Sequence, residues 1–146
     1  MAAARPAKLY SPELLGLATE LALFPFNPDF PLRSEARART CGSVITLGLA
    51  LDENAHIAGI GMQVNACAIG QASATLLARH AAGASAADVT ATTDALEGWL
   101  AGEGALPDWP GIAVLEPARN HAGRHGALLL PWKAACIALS SEGAGG

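Results

Sequence analysis

The pattern of apolar residues in the first half of the chain changes from helical spacing to strict alternation. Before the turn-like stretch FPFNP, apolar residues recur at helical spacing, and Ser11 followed by Pro12 is typical of a helix start. From Val44 onward, apolar residues alternate with small or polar ones through SVITLGLALDENAHIAGIGMQV. This alternation predicts an antiparallel hairpin with its tip near Asn54. The preceding stretch RSEARART is compatible with a further strand or with a loop.

The pattern in the second half of the chain is helical. We predict a helix from Asn65, as its N-cap, to about Ala82. Ser85 and Asp88 match a capping box, and the apolar stripe behind them predicts the next helix. Residues 112–139 are also helical in pattern, with interruptions at NHAGRHG and at a proline. Strands followed by helices predict an α+β fold, a small antiparallel β-sheet with helices packed on one face.

Length and composition narrow the class of protein. The 146 residues fit a single domain, residues 1–146, in which residues 1–9 and 140–146 are expected to be flexible tails. A net charge of -4 without a basic run argues against nucleic acid and against an anionic membrane as partners. The three cysteines are too few for a secreted disulfide framework, and no long apolar segment is present. We therefore predict a cytoplasmic protein with reduced thiols.

The predicted hairpin brings two cysteines together. With the tip near Asn54, Cys41 lies opposite Cys67 at the open end of the hairpin. Cys67 also falls in the first turn of the next predicted helix, where free N–H groups and the helix dipole favour a nucleophilic, metal-binding thiolate. Two other interpretations stay open, namely small buried side chains or a cross-strand disulfide, which a reducing compartment disfavours. Cys136, in KAACIAL, is predicted to be a core residue.

Four stretches of the chain match motifs of one known family. LYSPELLGLATELALFPFNP resembles the family's opening helix and Asn-Pro turn, and CGSVITLGLAL its Cys-Gly-Asp element, with Ser43 replacing the aspartate. ACAIGQASATLL corresponds to the second cysteine and its small-residue helix, and RHGALLLPWKAA to the closing segment. The chain thus resembles the iron–sulfur cluster assembly scaffolds of the IscU, SufU and NifU N-terminal type, from about Tyr10 to Ala138. The resemblance implies a SufE/NifU-like fold.

The resemblance also implies a function and a site. A scaffold of this kind is not an enzyme: it accepts persulfide sulfur from a cysteine desulfurase, binds iron, zinc or an iron–sulfur cluster, and supplies apo iron–sulfur proteins. The implied sulfur acceptors and metal ligands are Cys67 and Cys41, and Arg124 matches a family arginine that binds near the cofactor. Ala127 stands where the third cysteine belongs, so the implied ligand set is incomplete. His125 is the candidate for a further metal ligand. A monomer or a small homo-oligomer is expected.

Departures from the family pattern keep a second hypothesis open. Because Ser43 and Ala127 replace ligands, the chain could be a diverged, cluster-free binding or regulatory protein that retains the scaffold fold. His121 is a weaker ligand candidate than the histidine four residues later. Four arginines are interpreted either as neighbours of the thiols or as solvated charges: Arg37, Arg39, Arg119 and Arg124. No phosphate-binding loop or nucleophile elbow is present, and the glycines of GIGMQV are expected to allow bulges or close packing in a strand.

Overall fold

The structure, a computed structural model, describes residues 9–39 and 42–145, with side chains through residue 140. Its helices and strands, in chain order, are α1 (Pro12–Glu20), β1 (Leu32–Arg37), β2 (Val44–Leu51), β3 (Ile57–Asn65), α2 (Ala68–His80), α3 (Ala86–Leu100) and α4 (His125–Gly145). Short 3₁₀ turns lie at Leu21–Leu23, Ile112–Asn120 and Ala122–Arg124. The last of these turns is part of NHAGRHG, which interrupts the final helical region as predicted. The helical segment 140–145 and the undescribed residues 1–8 leave the expectation of flexible tails untested.

Within the described residues, three strands form one antiparallel sheet in the order β1-β2-β3. The predicted hairpin is confirmed: β2 and β3 pair from Val44 opposite Asn65 to a bulge near the tip. At the tip, the Asp52 carboxylate accepts the backbone N–H groups of Asn54 at 2.9 Å and His56 at 3.0 Å. Residues 33–37 of RSEARART lie in strand β1, which pairs with β2 and places Arg37 opposite Val44. The open alternative between strand and loop is thereby decided in favour of a strand.

The helices pack on the sheet face that carries the alternating large side chains. Ile45, Leu47 and Leu49 are fully buried beneath α4, which lies across β1 and β2, while α2 contacts β3. The Ser34 hydroxyl donates to the carbonyl of Ala134 at 2.7 Å and ties the edge strand β1 to α4. Helix α1 packs on α2, and α3 packs on α4. The α+β prediction, with helices on one face of a small antiparallel sheet, is confirmed.

On the opposite face of the sheet, the hairpin glycines lie against the Phe30 ring and the Pro25 carbonyl. Phe30 lies against three glycines of the hairpin, and a methyl group at Gly48 would come within 2.5 Å of the ring. Gly61 lies directly against the carbonyl oxygen of Pro25, beside the 2.8 Å hydrogen bond from the Met62 N–H to the Phe24 carbonyl. Only glycine, which has no Cβ, allows the segment from Phe24 to Phe30 to lie this close to the hairpin. Of the two roles expected for the GIGMQV glycines, bulges or close packing, the structure shows close packing.

This close packing gives a pair of stability predictions with opposite signs. Gly61→Ala should lower the free energy of unfolding by about 1–3 kcal/mol, because the new methyl group collides with the Pro25 carbonyl. Gly16→Ala, on the exposed face of α1 with no atom within 4 Å of the new methyl group, should raise it by about 0.5–1 kcal/mol. Urea denaturation of both variants measures the difference. Equal effects of the two substitutions would contradict the role assigned to Gly61.

The helix starts follow local capping chemistry. Ser11 accepts the Leu14 N–H at 3.1 Å, with Pro12 at the first helical position, as predicted for α1. At α3, Ser85 and Asp88 form the predicted capping box, with hydrogen bonds of 2.9 and 3.1 Å. The backbone and side-chain hydrogen bonds from Ser85 hold the pKa of the Asp88 carboxyl below its usual range.

No helix in the described part of the chain is long and apolar enough to cross a membrane.

Candidate functional site

One end of the sheet collects the segments that carry the predicted site. The pairs Arg37 with Val44 and Val44 with Asn65 put the β1–β2 loop and the β3–α2 junction at the same end. The described parts of this loop are closed by hydrogen bonds from the Ala38 N–H to the Ser43 carbonyl at 2.9 Å and from the Gly42 N–H to the Ala38 carbonyl at 3.1 Å. Cys41, the predicted partner of Cys67, lies outside the described residues. The convergence of Cys41 with Cys67 stays a prediction.

Cys67 is the N-cap of α2. The prediction had Asn65 as the cap and Cys67 inside the first helical turn, and this is wrong because Asn65 is still paired with Val44 in the sheet. The Cys67 carbonyl accepts the Gln71 N–H at 3.0 Å, whereas the Cys67 side chain makes no capping hydrogen bond. The half-buried thiol therefore lies at the positive end of a helix dipole, and its sulfur is not engaged by the cap.

Ala127, aligned with the family's third cysteine, packs against the first turn of the same helix. A Cβ at Gly70 would lie 3.2 Å from the Ala127 carbonyl oxygen and 3.3 Å from its methyl group. Ala127 is 1% exposed. Pro131, inside α4, has no N–H for the Ala127 carbonyl, so this carbonyl loses its usual helical partner where α2 approaches. The position aligned with a cysteine thus holds a methyl group beside Gly70, which follows Cys67 by three residues.

His125 is the first residue of α4 and is held by a backbone hydrogen bond. Its Nε2 lies 2.8 Å from the carbonyl oxygen of Arg119. Since a carbonyl only accepts, we assign the proton to Nε2, which leaves a lone pair on Nδ1. Metal-binding histidines commonly have one nitrogen fixed in this way while the other binds the metal. The half-buried ring of His125 therefore suits a ligand role, whereas His121 is exposed.

The four arginines considered from the sequence do not gather at one point. Arg37 and Arg39 line a cleft between the β1–β2 loop and the start of α4. Arg119 is engaged elsewhere, because its Nε donates to the Trp99 carbonyl at 2.8 Å and its guanidinium lies 5.4 Å from the centre of the Trp99 ring. Arg124 is half-buried in the turn before α4, and no ion pair of the described residues involves it.

The remaining cysteine and the Ser43 position have structural roles. Cys136 is half-buried rather than a full core residue, and its Sγ lies 3.4 Å from the Thr93 hydroxyl. Ser43 is buried at the start of β2, where its carbonyl closes the loop to Ala38.

Sequence reasoning missed the contacts that fix α2 against α4. The Trp132 indole N–H donates to the Ser73 hydroxyl at 2.9 Å, and this hydroxyl donates to the Leu128 carbonyl at 2.6 Å. Trp132 and Ser73 lie inside two of the motifs on which the family resemblance rests, but nothing in the sequence pattern predicts that they form a hydrogen bond. The network holds the first turn of α4 in place beside the N-terminus of α2.

The donor set can be tested against the groups that the resemblance implies. Thiolate and imidazole are ligands that zinc and iron–sulfur clusters accept. The described residues contain no group of three histidine, cysteine or carboxylate side chains able to hold a metal, and Cys41 is outside them. Cys67, Cys41 and His125 together would offer two sulfurs and one nitrogen. Such a set fits a metal with an open fourth position.

Comparisons with known proteins place this geometry in a wider context. No family model and no curated protein matches the sequence. Among solved structures, the N-terminal part of a nitrogen-fixing NifU-like protein from Brucella abortus is 25% identical, with a TM-score of 0.87 over 94% of this chain and 96% of that chain. A protein from Fervidobacterium islandicum, described as an iron–sulfur cluster assembly scaffold of the SUF system, is 23% identical, with a TM-score of 0.81 over 90% of this chain and 96% of that chain. In its fold and its matching motifs, the chain is similar to the iron–sulfur cluster assembly scaffolds of the IscU, SufU and NifU N-terminal type.

Proposed function

We propose that the protein is an iron–sulfur cluster assembly scaffold or sulfur acceptor that works with a cysteine desulfurase in the cytoplasm. The observation that carries the proposal is the placement of Cys67, unengaged at the N-cap of α2, in a chain whose structural relatives include a scaffold of the SUF system. Under this proposal, Cys41 approaches from the β1–β2 loop and His125 from α4. Arg124 contributes positive charge near the bound cofactor. Apo iron–sulfur proteins are the final acceptors.

The sulfur-transfer step requires an accessible thiolate in an electropositive place. The Cys67 thiolate attacks the outer sulfur of the desulfurase persulfide, so that a new S–S bond forms on Cys67 and the desulfurase cysteine leaves as a thiolate. No external electron is needed, because the transferred sulfur keeps its oxidation state. The dipole of α2 supports this step by stabilising negative charge at its N-terminus. Under the proposal, ferrous iron then binds as cargo to the persulfide on Cys67, to the Cys41 thiolate and to the Nδ1 of His125.

Loading of the wild-type protein tests the proposal. The protein is incubated without oxygen first with a cysteine desulfurase and L-cysteine, and then with ferrous iron and dithiothreitol, which supplies the two electrons that reduce each sulfane sulfur to sulfide. Its sulfane sulfur is measured after the first step, and its iron and acid-labile sulfide after the second. We expect sulfur on the protein before iron is added and both iron and sulfide afterwards. A protein that gains neither sulfur nor iron would contradict the proposal.

A second candidate function is that of a diverged binding or regulatory protein without a cluster. The buried methyl group of Ala127 favours it, because this position offers no third sulfur beside the first turn of α2. A wild-type protein that stays empty under the loading conditions, but folds normally, is the result expected from this candidate.

Introducing a sulfur at position 127 tests whether it is a ligand position. We expect Ala127→Cys to tighten zinc binding by roughly 100-fold, since structural zinc sites gain about 10–16 kcal/mol from about four ligands. Competition with a chromogenic chelator measures the affinity. Ala135→Cys is the matched control, because Ala135 is equally buried on α4 but lies two turns further along. Equal affinities of the two variants would show that position 127 is not a ligand position.

A further inference from the structure

A cleft at the same end of the sheet as Cys67 is lined by lysine and arginine side chains. It lies between the end of β1 and the start of α4, and we call it the basic cleft. Its lining residues are Arg37, Ala38, Arg39, Ala122, His125, Gly126, Leu130 and Lys133. No aspartate or glutamate is among them. The floor is apolar, since Ala38 and Leu130 are buried, whereas the cations stand on the exposed rim.

This concentration of positive charge stands out in an acidic chain of net charge -4. Seven lysines and arginines lie in the described part of the chain: Arg33, Arg37, Arg39, Arg79, Arg119, Arg124 and Lys133. Three of them line this one cleft. Lys133 is partly compensated by Glu97 at 3.5 Å, but both side chains are about half exposed, so solvent weakens that pair. The two arginines at the end of β1 have no ion pair with any described residue.

We infer that the basic cleft docks a short acidic segment of the protein that delivers sulfur to Cys67. This inference rests on the proposed function. Exposed rim cations above an apolar floor complement an extended segment that alternates carboxylates with small apolar side chains. Since His125 lines the cleft and begins α4, a segment bound there lies beside the start of the helix whose first turn packs on α2. Charge complementarity then speeds encounter and orients the donor.

The occupant is a protein segment rather than a small anion or nucleic acid. Arg37 and Arg39 are exposed, so they do not enclose a small anion away from water, and such solvated pairs bind weakly one at a time. A nucleic acid needs a longer basic stripe than one cleft on a negatively charged chain. A protein segment makes apolar contacts with the floor of the cleft in addition to several weak ion pairs. Together these contacts supply enough binding free energy for a specific interface.

Binding of a defined peptide tests the cleft itself. The probe is a fluorescein-labelled peptide of alternating glutamate and leucine, and its counterpart with lysine for glutamate is the charge control. We expect Arg37→Glu and Arg39→Glu to weaken binding of the acidic peptide about three- to tenfold at low ionic strength, with the difference shrinking as salt is added. Arg33→Glu is the matched control, because Arg33 is exposed on the same strand but does not line the cleft. Circular dichroism confirms that each variant folds.

Sulfur transfer separates this inference from the proposed function. With a cysteine desulfurase as donor, Arg37→Glu should raise the KM for the scaffold by a similar factor at unchanged kcat, while chemical loading with ferrous iron and sulfide stays at the wild-type level. If the wild-type protein is loaded with sulfur and all variants have the same KM as the wild type, the docking inference is overturned but the proposed function is not. A wild type that loads by neither route would overturn the proposed function.

Three further results would also overturn the docking inference. One is equal weakening by Arg33→Glu, which would indicate a general charge effect. Another is binding of a duplex DNA in preference to the acidic peptide. The third is a concentration-dependent dimer of the wild type that the cleft variants abolish, which would assign the cleft to a second copy of this chain.

Discussion

Replacing Cys67 with serine should reduce the iron, acid-labile sulfide and sulfane sulfur bound after loading to background. A serine hydroxyl is hardly ionised at neutral pH and forms no persulfide, so the variant loses both a nucleophile and a metal ligand. The fold should survive, because the Cys67 side chain makes no capping hydrogen bond and serine is itself a favoured N-cap. Iron and sulfide assays after anaerobic loading measure the loss. An unchanged thermal unfolding curve excludes unfolding as its cause.

Cys136→Ser is the matched control for this result. It removes one half-buried thiol from α4, next to Thr93 and away from the N-terminus of α2. Loading of this variant should equal that of the wild type. If both serine variants lost loading to the same extent, or if Cys67→Ser loaded normally, the site assigned to the start of α2 would be wrong.

Replacing Trp132 with alanine should lower the free energy of unfolding by about 3–5 kcal/mol. Its side chain is fully buried, its indole N–H donates to Ser73 at 2.9 Å, and its ring meets that of Trp109 edge to face at 4.9 Å between centroids. The substitution leaves a cavity between α2 and α4 and removes the donor to Ser73. Urea denaturation measures the change. Because these helices carry Cys67 and His125, cluster loading should also fall.

Trp132→Phe is the graded control. The phenyl ring keeps part of the buried volume and an aromatic contact with Trp109 but has no N–H for Ser73, so we expect a loss smaller than that of the alanine variant. Equal stability of the alanine variant and the wild type would contradict the position of Trp132 as the buried link between the two helices.

The secondary structure was largely predictable because its signals are local. Ser11 with Pro12 and Ser85 with Asp88 are capping patterns within one turn, and the alternation after Val44 fixes which side chains face the core. The error at the start of α2 has an equally clear cause. Asn65 is a good cap by its chemistry, but its pairing with Val44 in the sheet keeps it in the strand and passes the N-cap to Cys67.

The site was predictable only in part. The sequence identified Cys67, His125 and the substitution at Ala127 as the residues that matter, on the strength of a family resemblance. The hydrogen bond that orients His125, through a carbonyl six residues earlier, depends on the 3₁₀ turns before α4. The engagement of Arg119 by Trp99 likewise removes one candidate that its charge alone had suggested.

The sequence by itself determined the α+β class, the hairpin, most of the helix starts and the family resemblance, since periodicity and capping act over a few residues. Only the tertiary structure decided what lies next to what. The fit of Phe30 over the hairpin glycines, the contact of Ala127 with Gly70 and the basic cleft each join segments distant in the chain. Such contacts follow from how complete elements pack together, and packing depends on the shapes of both partners at once.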